Sequence, residues 1–445
     1  MLQQQVNMEG VLPEKKCLER NSLLTDLYEI THIRTVYNIF MVTFILLLLD
    51  TAVHDIKESG TLVLGTVTIR NGFAKLPTCL HIWSLMLIST FGVYVAFNFW
   101  FSQRLRYSPK SLARKLWDYS WLTIYIIYQV LLIIIPNRAM VRENLGIACN
   151  IIITAEQFRL IMKNHAFVRS LTPRFLSYKP HNDVLPPNVP RFSHYLYFLF
   201  VPTIIYRDEY PRTKKIRWMF VVQHFGEVVL MIFYYAFILE RLVAPVFRTF
   251  DTWPLESTWF IKIIIKMCFP GILLLLNLNY LLLHTWMNAW AEMLRFADRL
   301  FYKDWWNSTS FRMWNRTWNV VVHDWIYTYL YKDMYEIVVP RNKPLATFTA
   351  FFVSGICHEY VVAFSFRFFY PVMFIIFGGV NYVLVQSNLS MHNILVWMIL
   401  CFCNSIIIST CAMGYYTSYN CLSYSNYYAD LLLPQSWSCQ QHLAA

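Results

Sequence analysis

The sequence predicts an all-α polytopic membrane protein with about nine transmembrane helices and shorter intramembrane or interfacial helices between them. Three observations carry this. The 445 residues are 57% hydrophobic and 18% aromatic with only 14% charged, against about 25% charged in a soluble chain. Apolar runs recur from residue 35 to residue 414 with no interval long enough to fold alone in water. Polar and ionisable residues gather beside or inside those runs between Phe301 and Tyr360, where membrane depth makes them expensive and function is the default reading.

The runs able to cross a hydrocarbon core of about 30 Å fall near residues 35–54, 82–101, 119–135, 144–163, 218–239, 260–284, 345–366, 371–386 and 394–414. The first begins near Thr35 and is long enough to stay in the bilayer as its own anchor. The fourth is interrupted by Glu156, Gln157 and Arg159. The run from Tyr195 to Tyr206 is too short to cross and reads as an interfacial or re-entrant helix. Three regions result: an N-terminal arm over 1–34, expected to be loosely ordered, a membrane domain over 35–414, and a tail over 415–445.

Loop charge sets the orientation, because basic residues stay in the cytoplasm. Arg104, Arg106, Lys110, Arg114 and Lys115 lie in one loop, Lys163, Arg169, Arg174 and Lys179 in a second, and five more basic residues between Arg207 and Arg217. Alternating from these loops puts the N-terminus and the Trp286–Lys343 stretch on the cytoplasmic side and the tail on the lumenal side. The net charge of +12 suits loops facing anionic membrane lipid, and nucleic acid is not an expected partner. Of ten cysteines, Cys149, Cys268, Cys357, Cys401, Cys403 and Cys411 sit in apolar runs and read as packing residues. Cys421 and Cys439 fall in the polar tail, on the side where a disulfide persists.

The chemistry concentrates in Asp304, Asn307, Arg316, Asn319, His323, Asp324, Tyr331, Lys343, His358 and Glu359. His358 is about 20 Å along a helix entering near Leu345, with Ser354 one turn before it, and a neutral imidazole there suits a general base. Asn319 and His323 are four apart, so a helix would stack them on one face; the amide can donate to a developing oxyanion, and His323 can meet a phosphate or pantetheine-like group. Interhelical hydrogen bonding is the competing reading for both. Arg316 and Lys343 fit phosphate pairing or snorkelling anchors. Trp305, Trp306, Trp314, Trp318 and Trp325 fit an interfacial belt or the mouth of a tunnel. His358-Glu359-Tyr360-Val361-Val362 lacks the second histidine of a zinc protease motif, so no metal is expected, and neither a P-loop nor GxSxG occurs. A base and an amide donor without an obvious nucleophile fit direct transfer from an activated acyl donor, such as a thioester, to a hydroxyl.

At these residues the sequence resembles the sterol O-acyltransferases of the membrane-bound O-acyltransferase (MBOAT) superfamily. FYKDWWNSTS at 301–310, RTWNVVVHDW at 316–325 and CHEY at 357–360 carry the likeness. HIRTVY at 32–37, EQFRLIMKNHAFVR at 156–169 and PTIIYRDEYPR at 202–212 extend it over most of the chain. The motif residues are Phe301, Tyr302, Asp304, Trp305, Trp306, Asn307 and Glu359. The resemblance implies the MBOAT fold and an endoplasmic-reticulum enzyme with a cytosolic N-terminus. It would esterify the 3β-hydroxyl of cholesterol or another sterol from long-chain fatty acyl-CoA, a substrate, with no cofactor. It implies His358 as catalytic base with Asn319 as partner. Acyl-CoA contacts are implied at Arg316, Asn319, His323, Tyr331, Lys343 and Ser354, a sterol contact at His32, and a lumenal Cys421–Cys439 disulfide.

Met313 departs from the pattern, standing where that family usually places an asparagine against acyl-CoA. The N-terminal arm is shorter than in the mammalian enzymes, where it supports a homotetramer, so a homodimer is expected. Two alternatives stay open. A diacylglycerol acyltransferase of the same superfamily would read NIPVHKW where this chain has NVVVHDW, and a proton-coupled lipid transporter would use His358 and Glu227 as a relay.

Overall fold

The computed structural model describes residues 14, 16–178, 187, 189–247, 257–387 and 389–420. Apart from two isolated bridges, Arg20 to Asp298 and Arg212 to Phe296, the regular structure among them is helical. Among the described residues, seven helices are long and apolar enough to cross a membrane: Thr31–Glu58, Leu76–Arg104, Leu112–Glu143, Trp218–Phe247, Thr258–Met293, Lys343–Phe366 and Asn393–Ser418. Their outer faces carry bare apolar side chains, such as Phe40 (70% exposed) and Met219 (80%). Such faces suit hydrocarbon, where backbone polar groups must be satisfied inside the helix.

The two other expected spans are also helical. Ile147–Ser177 is 31 residues long, but its charged residues set it apart from the apolar seven. They are paired: Arg159 binds Glu156 one turn away at 2.6 Å, and the buried Lys163 donates to the carbonyls of Phe198, Leu199 and Val201 at 2.5, 2.9 and 2.8 Å. These carbonyls end the short helix Phe192–Phe200, whose Tyr195, Phe198 and Leu199 are fully buried. The Tyr195–Tyr206 run is therefore tied to this helix at its carbonyl end, with Tyr195, Phe198 and Leu199 inside the protein. The remaining expected span is the short apolar helix Phe374–Gln386.

Aromatic residues fill the centre. Phe97, Phe167, Phe175, Tyr195, Phe198, Phe301, Tyr302, Trp305 and Trp314 belong to one buried cluster. The described part of the N-terminal arm is docked, contrary to expectation. Ser22 is 1% exposed and accepts from Asn288 Nδ2 at 2.9 Å, while Arg20 pairs with Asp298 at 2.6 Å.

Candidate active site

The Lys343–Phe366 helix starts and stops on local chemistry. Asn342 caps it by accepting from Leu345 N at 3.1 Å, a proline lies in its first turn, and Arg367 closes it in the left-handed conformation with φ 64°. Tyr360 fastens it to two neighbours, donating to Gln157 Oε1 at 2.9 Å and accepting from Asn137 Nδ2 at 2.6 Å. His358 therefore sits on a helix fixed against both the Leu112–Glu143 and Ile147–Ser177 helices.

His358 is half-buried. Its Nδ1 lies 2.6 Å from the carbonyl oxygen of Ser354, and the Ser354 hydroxyl is a longer 3.4 Å away. A carbonyl only accepts, so Nδ1 carries the proton and Nε2 presents its lone pair. The ring lies parallel to Phe377, with centroids 4.1 Å apart and planes 7° apart. Glu359 does not assist the imidazole: its Oε2 accepts from Phe374 N at 3.1 Å on the neighbouring helix.

Asn319 sits at the cap of the Val320–Trp325 helix, with φ −134° and ψ 89°, rather than inside it. Its Oδ1 accepts from Val322 N at 3.1 Å, as an asparagine at an N-cap does. The expected shared helical face with His323 is thus corrected to a cap, although His323 N still donates to Asn319 O at 3.0 Å. With Oδ1 engaged, the Nδ2 hydrogens remain for another acceptor.

The FYKDWWN segment braces this cap. Val320 N donates to Phe301 O at 2.9 Å and Lys303 N to Thr317 O at 2.8 Å, so two backbone bonds flank Trp318 and Asn319. Trp305 packs on Trp318 with ring centroids 4.6 Å apart, and Trp318 stacks on Trp314 at 5.4 Å. Trp305 and Trp314 are buried and Trp318 is half-buried, so these three rings pack together inside the protein. Tyr302 ties the segment to the arm, bonding His284 Nδ1 at 2.8 Å and accepting from Leu24 N at 3.4 Å. Asp304 accepts through its carbonyl from Asn307 N at 3.0 Å, and Asn307 is exposed.

The other candidates divide into two places. Past Asn319 the chain continues through Ile326–Tyr331, which packs against the histidine helix. Just beyond this segment, Asp333 accepts through both oxygens from Arg169 of the Ile147–Ser177 helix, at 2.7 and 2.8 Å. Tyr327, Tyr331 and Tyr335 stack four residues apart, with centroids at 6.0 and 6.1 Å. Burial raises the Tyr331 phenol, as does Tyr335, while a hydrogen bond from Thr347 and the charge of Arg316 pull it back. Arg316, Tyr331 and the first turn of the Lys343 helix therefore share one neighbourhood, where Arg316 and Lys343 are exposed. Sequence reasoning missed Tyr327 and Tyr335, although their spacing of four was visible.

His323 is half-buried, with Nδ1 3.7 Å from Asp324. Met313 N donates at 3.2 Å to Oγ of Ser310, the N-cap of a helix, Phe311–Thr317, that packs against Asn381–Gln386. His32 lies elsewhere, exposed at the start of the first span. Beside that span end is a separate cavity of about 380 Å³ between Tyr28, Arg34, Tyr37, His224, Glu227 and His284. Burial pushes the Tyr28 phenol there up to about 12. Glu227 is bound by Tyr37, Gln223, His224 and Tyr280 at 3.0, 3.2, 2.9 and 3.3 Å. His358 and Glu227 thus belong to different hydrogen-bond sets, against the proton-relay alternative. Cys421 and Cys439 lie outside the described residues.

Residues 72–429 match the membrane-bound O-acyltransferase family. Sterol O-acyltransferase 1 of Macaca fascicularis is 38% identical over 95% of this chain and 77% of its own length. The Cricetulus griseus protein of the same name is also 38% identical, over 95% and 78%. Sterol O-acyltransferase 2 of Mus musculus is 37% identical over 96% and 81%. With its polytopic helical fold, the chain belongs to the membrane-bound O-acyltransferase family and is an acyltransferase.

Proposed function

We propose that the protein transfers a long-chain fatty acyl group from acyl-CoA to the 3β-hydroxyl of cholesterol or a related sterol. The observation that carries this reading is the likeness to sterol O-acyltransferases along nearly the whole chain. His358 Nε2 takes the hydroxyl proton as the oxygen attacks the thioester carbonyl. The carbonyl electrons move onto oxygen, and Asn319 Nδ2 donates to that oxyanion. Collapse forms the ester and expels the thiolate, which takes the proton back from the imidazolium to leave as free CoA. No acyl-enzyme is needed, because the donor is already activated. Arg316, His323, Tyr331, Lys343, Ser354 and Met313 would contact acyl-CoA, and His32 the sterol.

Purified protein given labelled oleoyl-CoA with cholesterol or with diacylglycerol tests this. Cholesteryl ester is expected as the main product; triacylglycerol as the main product would transfer the assignment to the diacylglycerol branch, and no ester with either would sink the sterol reading. On the same reading the protein resides in the endoplasmic-reticulum membrane as a homodimer, its N-terminus cytosolic and its tail lumenal. Mass mapping of unreduced protein is expected to recover Cys421 joined to Cys439. Free thiols at both positions would remove the support for a lumenal tail.

A further inference from the structure

The immediate surroundings of His358 supply a second constraint on its ring, from a helix outside the recognised motifs. One hydrogen bond, from Nδ1 to the Ser354 carbonyl, fixes a direction in the imidazole plane. It leaves the plane free to rock about that bond, because the terminal torsion of histidine is broad. Phe377 removes this freedom. Its ring lies 7° from parallel to the imidazole at 4.1 Å, close to full face contact, so any rotation of the imidazole drives it into the phenyl face.

Two local features place that phenyl ring. Gly355, on the turn before His358, meets Gly378, the residue after Phe377. A Cβ on Gly355 would come within 3.0 Å of Gly378 N and Cα, so side-chain-free positions let the two backbones approach. Glu359, buried at 5% exposure, accepts from Phe374 N one turn before Phe377. The Glu359 oxygen there holds the start of the helix through an otherwise unpaired N–H. The residues on either side of the histidine contact thus register one helix against the other.

We propose that Phe377 is a positioning residue for acyl transfer: it holds the plane of the His358 ring and faces the imidazolium that forms when Nε2 takes the proton. This rests on His358 being the base. A phenyl face attracts a cation within about 6 Å, whereas the neutral ring gains less, so the contact strengthens as the proton moves and acts on turnover more than on binding.

The test compares Phe377→Leu, which keeps apolar bulk, with Phe377→Tyr, which keeps the aromatic face, in the purified full-length protein. Phe377→Leu is expected to lower kcat about tenfold with both KM values and the melting temperature nearly unchanged, and Phe377→Tyr to restore kcat to within about threefold of the parent. Phe352→Leu, an exposed ring on the histidine helix, serves as a control for general loss of aromatic packing. If Phe377→Leu melts early, Phe377→Met replaces it in the same comparison. A Leu or Met variant within twofold of the parent in kcat, a parallel rise in KM, or a Tyr variant no better than Leu would each overturn the proposal. His358→Ala in the same assay separates the two ideas. If it stays active, the base assignment fails and this proposal with it; if it is inactive while Phe377→Leu is normal, only the positioning role fails.

Discussion

Replacing His358 with alanine is expected to lower kcat about 10²- to 10⁴-fold while leaving acyl-CoA binding nearly intact. The size follows from what is removed. A neutral sterol hydroxyl is a poor nucleophile, and the proposed reaction gives its proton one acceptor, the Nε2 lone pair left open when Nδ1 bonds Ser354. The selectivity for kcat follows from distance: His358 lies 15 positions beyond Lys343, roughly 22 Å along the helix. The exposed Arg316 and Lys343 that would meet the phosphates are therefore far from the substitution. His358→Gln should be equally inactive, since an amide fills much of the space without taking a proton. Turnover and binding of a non-reacting acyl-CoA analogue, measured on the same preparations, check this. A His358→Ala enzyme with more than a tenth of parental kcat would end the base assignment.

The parts of this molecule that lipid dictates were legible in the sequence. Seven spans stand out because hydrocarbon requires a continuous apolar run, and His358 stands out because it interrupts one. The Ile147–Ser177 helix was harder to read for a physical reason. Its Glu156, Arg159 and Lys163 are satisfied by each other and by carbonyls of the Phe192–Phe200 helix, partners a linear pattern does not reveal. The docked arm was missed because single contacts hold it, such as Ser22 and Arg20, and these leave no periodicity. The FYKDWWN segment was conspicuous, but its work as a brace was not. It acts through backbone bonds from Phe301 and Lys303 to Val320 and Thr317, and backbone bonds leave no mark on residue type. Asn319 was recognised as a donor yet assigned to a helical face. An asparagine followed by three valines is itself a start signal, since asparagine favours the cap and β-branched residues do not compete for it.

That placement gives Asn319 two separable tasks, and one substitution can remove only the second. Oδ1 caps the Val320–Trp325 helix through Val322 N, and Nδ2 is the group proposed to meet the oxyanion. Aspartate keeps an oxygen at the cap, where a carboxylate is as good as an amide, but it has no hydrogen to donate and sets negative charge beside a developing anion. Asn319→Asp is therefore expected to fold and melt like the parent while losing about 10²- to 10³-fold in kcat. Asn319→Ala removes both functions and should also lose about 1 kcal/mol of stability from the missing cap. Asn319→Ser restores a capping oxygen on a shorter side chain, so it should recover the stability lost in the alanine variant without recovering turnover. Measured together, melting temperature and kcat should move independently across the three variants. If kcat instead follows melting temperature, Asn319 serves the fold alone; an active Asn319→Asp enzyme would show that the oxyanion finds its donor elsewhere.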